Sequence, residues 1–242
     1  MNYISVVLRS QDVKHTLGID VDLNILKFIP KNLRDKIIIQ NALYCTGFEG
    51  KCDVVVGNPP FSAKFGKVTD KKILSKFKLG SNRKSQALEI LFLEKFIELA
   101  RENGIIGIIL PFGIFANTQL SYVRNFIIQH LKIIAVISLP RNTFPKTTSK
   151  TCILIGKKKK HNGTVLMAKI EKVGDLFNIK FELFSIEDNI LYPEYYINRR
   201  LKSPFKLGDI VDIRSGATEY GSKRFFVKSG IFISAKVVTD LE

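Results

Sequence analysis

Cysteine and histidine are scarce in this 242-residue chain, with three of each. Cys45, Cys52 and Cys152 form no CxxC pair and share no ligand spacing with His15, His130 and His161. Structural zinc needs four such ligands in close pairs, and a disulfide framework needs a denser set, so neither is expected and no metal site is assigned. Reduced thiols fit a cytoplasmic protein. Long apolar runs are lacking too. The longest, Gly104–Phe115, falls short of the ~20 residues a membrane helix needs, so no membrane association is expected. Arg9, Asp12 and Lys14 stand where a signal peptide would need an apolar core, which argues against export. Acid is short relative to base: 22 Asp and Glu against 38 Lys and Arg, a formal net charge of +16. That excess favours a polyanionic partner, nucleic acid first. The plainer alternative is a basic enzyme from a proteome rich in Lys and Ile.

The rest of the composition, 45% hydrophobic and 25% charged, is that of a globular chain with one large core or a domain plus part of another. Apolar runs predict strands over Thr16–Val21, Lys36–Gln40, Cys52–Gly57, Gly104–Leu110, Ile133–Leu139 and Thr151–Gly156. Helical spacing predicts helices over Asp22–Leu33, Gln86–Asn103 and Ser121–His130. The second is capped by Ser85 and stopped by Gly104, with Phe92, Phe96 and Leu99 facing the core. Alternating strands and helices with near-continuous apolar strands predict an α/β fold, a mostly parallel sheet covered on both faces. Two stretches break the pattern. Ser62–Ser85 is a long basic connection, carrying Lys64, Lys67, Lys71, Lys72, Lys76, Lys78, Arg83 and Lys84 against Asp70 alone. Connections of this length inside such domains are functional or mobile. Near Ser203-Pro204 a β-rich unit begins, dividing the chain into residues 1–202 and 203–242. Lys157–Lys160 with His161 reads as a solvated hairpin.

The decisive feature is Asn58-Pro59-Pro60-Phe61, directly after the run Asp53–Gly57. In open α/β sheets ligands bind at the carboxyl ends of the strands. Two prolines fix φ and bias their predecessors away from helix, which makes the turn stiff. A rigid carboxamide, a proline carbonyl and an aromatic face together suit a planar amino group. A tetrapeptide of this kind standing alone is often only a strand-ending turn.

Its neighbours change that reading. The tetrapeptide after an apolar strand resembles the amino-group motif of S-adenosylmethionine-dependent DNA adenine-N6 methyltransferases, above all the modification subunits of type I restriction systems and related fused enzymes. The other blocks agree in order. Gly18-Ile19-Asp20-Val21-Asp22 resembles the segment whose first acid binds the cofactor's ribose. Gln40-Asn41-Ala42-Leu43 falls where the family contacts the cofactor's adenine. Ala87–Gly104 resembles its long helix, and Gly107–Pro111 its "VLP" strand end. Leu139-Pro140-Arg141-Asn142-Thr143-Phe144 with Thr151–Lys157 resembles its "LP…TF…T…ILV…K" block. Pro204–Ser215, Gly216 and Gly230–Lys236 look like the opening of a target recognition domain.

The resemblance implies a Rossmann-like class I methyltransferase sheet, incomplete at its N-terminus, followed by the start of a β-rich target recognition domain. It implies S-adenosylmethionine as cofactor, bound by Asp20, Asn41 and Ala42. The partner would be double-stranded DNA with a flipped adenine, joined by specificity and restriction subunits. Asn58, Pro59, Pro60 and Phe61 would be catalytic, the Asn58 side-chain oxygen and Pro59 carbonyl accepting from the adenine amino group. Phe61 would stack on the base and Phe144 pack against it, though Phe144 reads equally as core. Lys64, Lys67, Lys71, Lys72, Arg83 and Lys84 would hold DNA phosphates. Asp20 also has a plainer reading, as a helix-capping acid. Two departures stand out: no glycine precedes Gly18, where the family has a glycine-rich cofactor loop, and Asn41 replaces an acid. They imply a chain shorter than the family at both ends. They also keep open a second function, a non-catalytic DNA-binding or assembly remnant of a restriction-modification system.

Overall fold

Short β-branched runs separated by turns build the first part of the chain. The structure, a computed structural model, describes residues 16–141, 143–144, 149–172 and 179–198. Strands β1 (Gly18–Asp20) and β2 (Ile37–Ile39) pair in parallel, with Asp20 opposite Ile39. Between them the sequence predicts one α-helix, but the chain makes two 3-10 turns, Leu23–Phe28 and Lys31–Lys36. Pro30 divides them, since it has no N–H to donate and holds Ile29 extended at φ −97° and ψ 131°. The cap of the first turn is Asp22, which accepts from the Asn24 N–H. Asp20 is therefore not the capping acid.

Strand β3 (Cys52–Gly57) has the predicted bounds. After it the basic segment is more than a loop. It forms α1 (Ser62–Phe65), β4 (Lys67–Val68) and α2 (Lys71–Leu74), and it buries Ile73, Leu74 and Phe77 with Leu43 and Leu91. Strand β5 (Gln86–Ala87) pairs with β4. Helix α3 (Leu88–Leu99) is shorter at both ends than its periodicity predicts: Ser85 lies outside it, and β6 (Ala100–Pro111) starts at once. Pairing of β6 with β3 steps from Cys52–Ala100 to Val54–Ile105, so residues 101–104 bulge out. Asn103 takes φ +62° there, a left-handed conformation that Asn tolerates. Gly104 closes the bulge against backbone: a Cβ would stand 2.9 Å from both the Arg101 and Cys52 carbonyl oxygens.

Beyond β6 lie α4 (Phe112–Ala116), α5 (Ser121–His130), β7 (Leu131–Ser138), β8 (Thr151–Lys158), β9 (Thr164–Lys169), β10 (Glu182–Ser185) and α6 (Pro193–Ile197). The main sheet has six strands in the order β10-β9-β7-β8-β6-β3. Strands β3, β6, β7 and β9 run one way, while β8 lies antiparallel between β6 and β7. The sheet is thus mixed where the sequence predicts a mostly parallel one. Its core holds Ile106, Ile108 and Leu110 of β6 between side chains of α3 and α5 such as Leu93 and Ile127, all fully buried. Among the described residues β3 is paired on one edge only, and Val54 is 56% exposed, although its apolar run predicts a buried strand.

The link from β8 to β9 is not a hairpin, because β9 pairs with β7 and β10 and not with β8. It crosses β7, and His161 plugs the register shift there by accepting from the Ile133 N–H at 3.1 Å. Burial lowers the pKa of that imidazole. The expected target recognition segment, 203–242, lies outside the described residues.

Candidate active site

Strand direction decides which residues share an edge. The carboxyl ends of β3, β6 and β7 lie on one edge of the sheet, so Asn58-Pro59-Pro60-Phe61, Phe112 and Leu139–Arg141 all emerge there. Pro59 is buried, Pro60 and Phe61 are half-buried, and Asn58 is exposed. Neither the Asn58 carboxamide nor the Pro59 carbonyl is engaged by a hydrogen bond among the described residues. A stiff turn thus holds, beside an aromatic ring, two acceptors that make no hydrogen bond among the described residues.

Helix α3 grips both ends of this turn. On one side the Phe96 ring packs against Gly57, and a Cβ on that glycine would stand 2.9 Å from the ring. On the other, buried Glu89 accepts from the Ser62 N–H at 2.8 Å and the Ser62 hydroxyl at 3.1 Å. Glu94, also buried, accepts from the Lys78 and Leu79 N–H groups at 2.7 and 2.8 Å, tying the far part of the basic segment to the same helix. The sequence reading missed both glutamates. Their signal was there: two acids within the apolar run Leu88–Leu93 and its continuation, on a helix whose every turn is buried.

Lys64, Lys67, Lys71, Lys72, Arg83 and Lys84 are all exposed on the segment so anchored. Arg83 lies over the Tyr122 ring, 3.9 Å from its centroid, which couples the segment to α5. Phe144 is half-buried and packs with Ile137, Leu139, Ala168 and Ile170 between β7 and β9.

The residues assigned to the cofactor come from β1 and β2. The Gln40 N–H donates to the Asp20 carbonyl at 2.8 Å, so the two strand ends lie side by side. One Asp20 carboxylate oxygen accepts from the Asp22 N–H at 2.9 Å, and the other makes no hydrogen bond among the described residues. Asn41 caps the next 3-10 turn through its side-chain oxygen, which accepts from the Leu43 N–H at 3.0 Å, while its NH2 group makes no hydrogen bond among the described residues. Ala42 opens that turn, where a backbone N–H has no intrahelical acceptor. An acid followed by unengaged N–H donors has the chemistry to take a ribose and an adenine edge.

A separate cleft of about 280 Å³ opens where β7 and β9 end, lined by Ser138, Arg141, Lys150, Lys169 and Glu194 among others. Glu194 accepts from Ser138 at 2.6 Å and from Lys150. Burial pushes its carboxyl pKa up, but these two hydrogen bonds outweigh that and lower it overall. Burial pushes the nearby Cys152 thiol up to about 12, which leaves it protonated and unreactive. Among the described residues no cluster of His, Cys, Asp and Glu could hold a metal, and no helix is long and apolar enough to cross a membrane.

Known proteins share this fold. A curated relative, the type II restriction enzyme and methyltransferase RM.Eco57I of Escherichia coli, is 31% identical over 114 residues, 46% of this chain and 11% of that protein. A structure described as a class I S-adenosylmethionine-dependent methyltransferase from Listeria monocytogenes superposes with a TM-score of 0.59 at 24% identity, covering 71% of this chain and 55% of that one. The methyltransferase subunit of a type I restriction-modification system from Streptococcus thermophilus gives 0.52 at 21%, covering 76% and 41%. The type I restriction enzyme EcoKI M protein gives 0.52 at 16%, covering 74% and 38%. The chain therefore spans about half or less of the length of these relatives, and its sheet has the class I S-adenosylmethionine-dependent methyltransferase fold. The model of the N-6 DNA Methylase family matches residues 21–205, more than half of the chain, and the chain belongs to that family.

Proposed function

We propose that this chain carries the methyl-transfer site of an S-adenosylmethionine-dependent DNA adenine-N6 methyltransferase in a restriction-modification system. The observation that carries the reading is the Asn58–Phe61 turn: two unengaged acceptors and an aromatic ring, held stiffly where the strands end. The exocyclic nitrogen of adenine is a poor nucleophile because its lone pair is delocalised into the ring. The Asn58 side-chain oxygen and the Pro59 carbonyl accept from its two hydrogens, which returns electron density to the nitrogen. Asn58 needs no ionisation to do this. When bound, the cofactor supplies an activated methyl group on a sulfonium.

Phe61 stacks on the target adenine, and Phe144 lies on the neighbouring loop. Flipping the base out of the duplex costs roughly a few kcal/mol, of which stacking returns about 1–3 kcal/mol. Lys64, Lys67, Lys71, Lys72, Arg83 and Lys84 hold the DNA backbone, consistent with the +16 net charge. Asp20 takes the ribose hydroxyls, while Asn41 and Ala42 offer donors to the adenine of the cofactor. Specificity and restriction subunits complete the assembly, which works in the cytoplasm.

Titration of the folded chain with S-adenosylmethionine tests the cofactor half of this reading. Saturable binding is expected, and Asp20→Asn should weaken it about tenfold or more, the worth of one hydrogen bond to a charged group. A folded chain that binds DNA but neither binds the cofactor nor transfers methyl is instead the non-catalytic remnant.

A further inference from the structure

Glu89 is a buried carboxylate, only 8% exposed, that forms no ion pair among the described residues. Burying a charge without a counterion is costly unless its oxygens are fully used. Both are used, and by a single residue: Ser62 gives one oxygen its backbone N–H and the other its hydroxyl, across 27 positions of sequence. Ser62 directly follows Phe61.

Capping alone does not explain this arrangement. Helix α1 begins at Ser62, so its N-cap is Phe61, whose side chain makes no capping bond. A Ser, Thr, Asp or Asn at position 61 would accept locally from the N–H of Ala63 or Lys64 and leave that of Ser62 without an acceptor. The chain instead puts an aromatic ring at that position and brings the acceptor from another helix. Seven residues further along α3, and therefore about 10 Å along its axis, Phe96 packs on Gly57. Helix α3 thus fixes the residue before the tetrapeptide and the residue after it. The two prolines stiffen what lies between.

We propose that Glu89 is a positioning residue for the base pocket, acting through Ser62 to hold the Phe61 ring and the Asn58–Pro59 acceptors in register. The inference rests on the function proposed above. It assigns Glu89 no contact with substrate and no proton to carry.

The test uses the full chain with Glu89→Ala, Glu89→Gln and Ser62→Ala, and reads two quantities. The first is steady-state methyl transfer. Misplacing reacting groups by about 1 Å costs on the order of 10²-fold in rate, so E89A should lower kcat by about that factor. The KM for DNA should stay within about threefold, because the phosphate-binding lysines are untouched. E89Q keeps an acceptor for the Ser62 N–H and should restore kcat to within about fivefold of wild type. S62A removes only the hydroxyl and should cost about fivefold in kcat. The second quantity is quenching of 2-aminopurine deoxyriboside fluorescence on stacking, which needs neither cofactor nor transfer. It should weaken in E89A and persist in E89Q.

Folded E89A with kcat and quenching within twofold of wild type overturns the proposal. Equal impairment of E89A and E89Q overturns it too, since the charge and not the geometry would then matter. If E89A does not fold, S62A decides: wild-type kcat and quenching overturn the assignment, and a loss in kcat alone supports it. A wild-type chain that quenches the probe but transfers no methyl refutes the proposed function and leaves Glu89 to be judged by quenching. A wild-type chain that does neither refutes both.

Discussion

Replacing Glu94 with alanine removes the carboxylate that fastens the basic segment to α3. Two backbone N–H groups, of Lys78 and Leu79, lose their acceptor, and Leu79 is buried at 7% exposure. Hydrogen bonds to charged groups contribute about 1.5–3 kcal/mol each, so the pair is worth roughly 3–6 kcal/mol. Part of this is offset because a buried carboxylate no longer has to be desolvated. The net cost should be about 3 kcal/mol, which for a chain of this size lowers Tm by roughly 6–12 °C. Glu94→Gln keeps one acceptor and should lose less, about 2 kcal/mol. Urea titration measures the global effect. Hydrogen exchange across residues 71–81 locates it, because Ile73, Leu74 and Phe77 are held by the same attachment. An E94A chain within about 0.5 kcal/mol of wild type, with unchanged exchange at Leu79, would refute the reasoning, since such a change is what surface substitutions give.

Other perturbations follow from the same contacts. Gly57→Ala puts a methyl group 2.9 Å from the Phe96 ring and should cost about 1–2 kcal/mol in a urea melt; adding Phe96→Leu should recover most of it, and full additivity would count against the contact. Arg124 is buried and donates to the carbonyls of Asn189, Ile114 and Asn117, so Arg124→Met should destabilise by about 3 kcal/mol by leaving them unpaired. His161 is half-buried near Lys132 and has a folded-state pKa below its ordinary 6.5, chiefly through desolvation, so the unfolded chain binds the extra proton first. Stability should therefore be full above pH 6.5 and fall as pH drops below it, a slope that His161→Gln flattens in pH-dependent melts. An unchanged slope in that variant would place the proton elsewhere.

Much of the candidate site's local structure was legible in the sequence because its parts are local. The Asn58–Phe61 turn, the β3 bounds and helix α5 each depend on residues within a few positions, and proline stiffness acts on its immediate neighbours. What sequence reading missed depends on partners far along the chain. Glu89 and Glu94 look like surface charges until α3 is seen to be buried all round. The basic segment reads as a loop because its charges outnumber the few apolar residues that pack it down. Helix α3 was overextended because Ala100–Asn103 has fair helix propensity, which the sheet overrides by pairing Ala100 with Cys52. The lysines at the end of β8 and His161 beyond it suggest a hairpin, yet the next strand pairs with β7.

The central claim is that Asn58 and Pro59 activate an adenine amino group. The direct measurement incubates the folded chain with S-adenosylmethionine and adenine-containing duplex DNA, then counts N6-methyladenine by mass spectrometry of the digested nucleosides. The account predicts N6-methyladenine from the wild-type chain and a loss of about 10²–10³-fold with Asn58→Ala, with melting and DNA binding unchanged, as for removal of one preorganised transition-state contact. Equal methylation by wild type and N58A, or methyl groups found on cytosine and none on adenine, would contradict it.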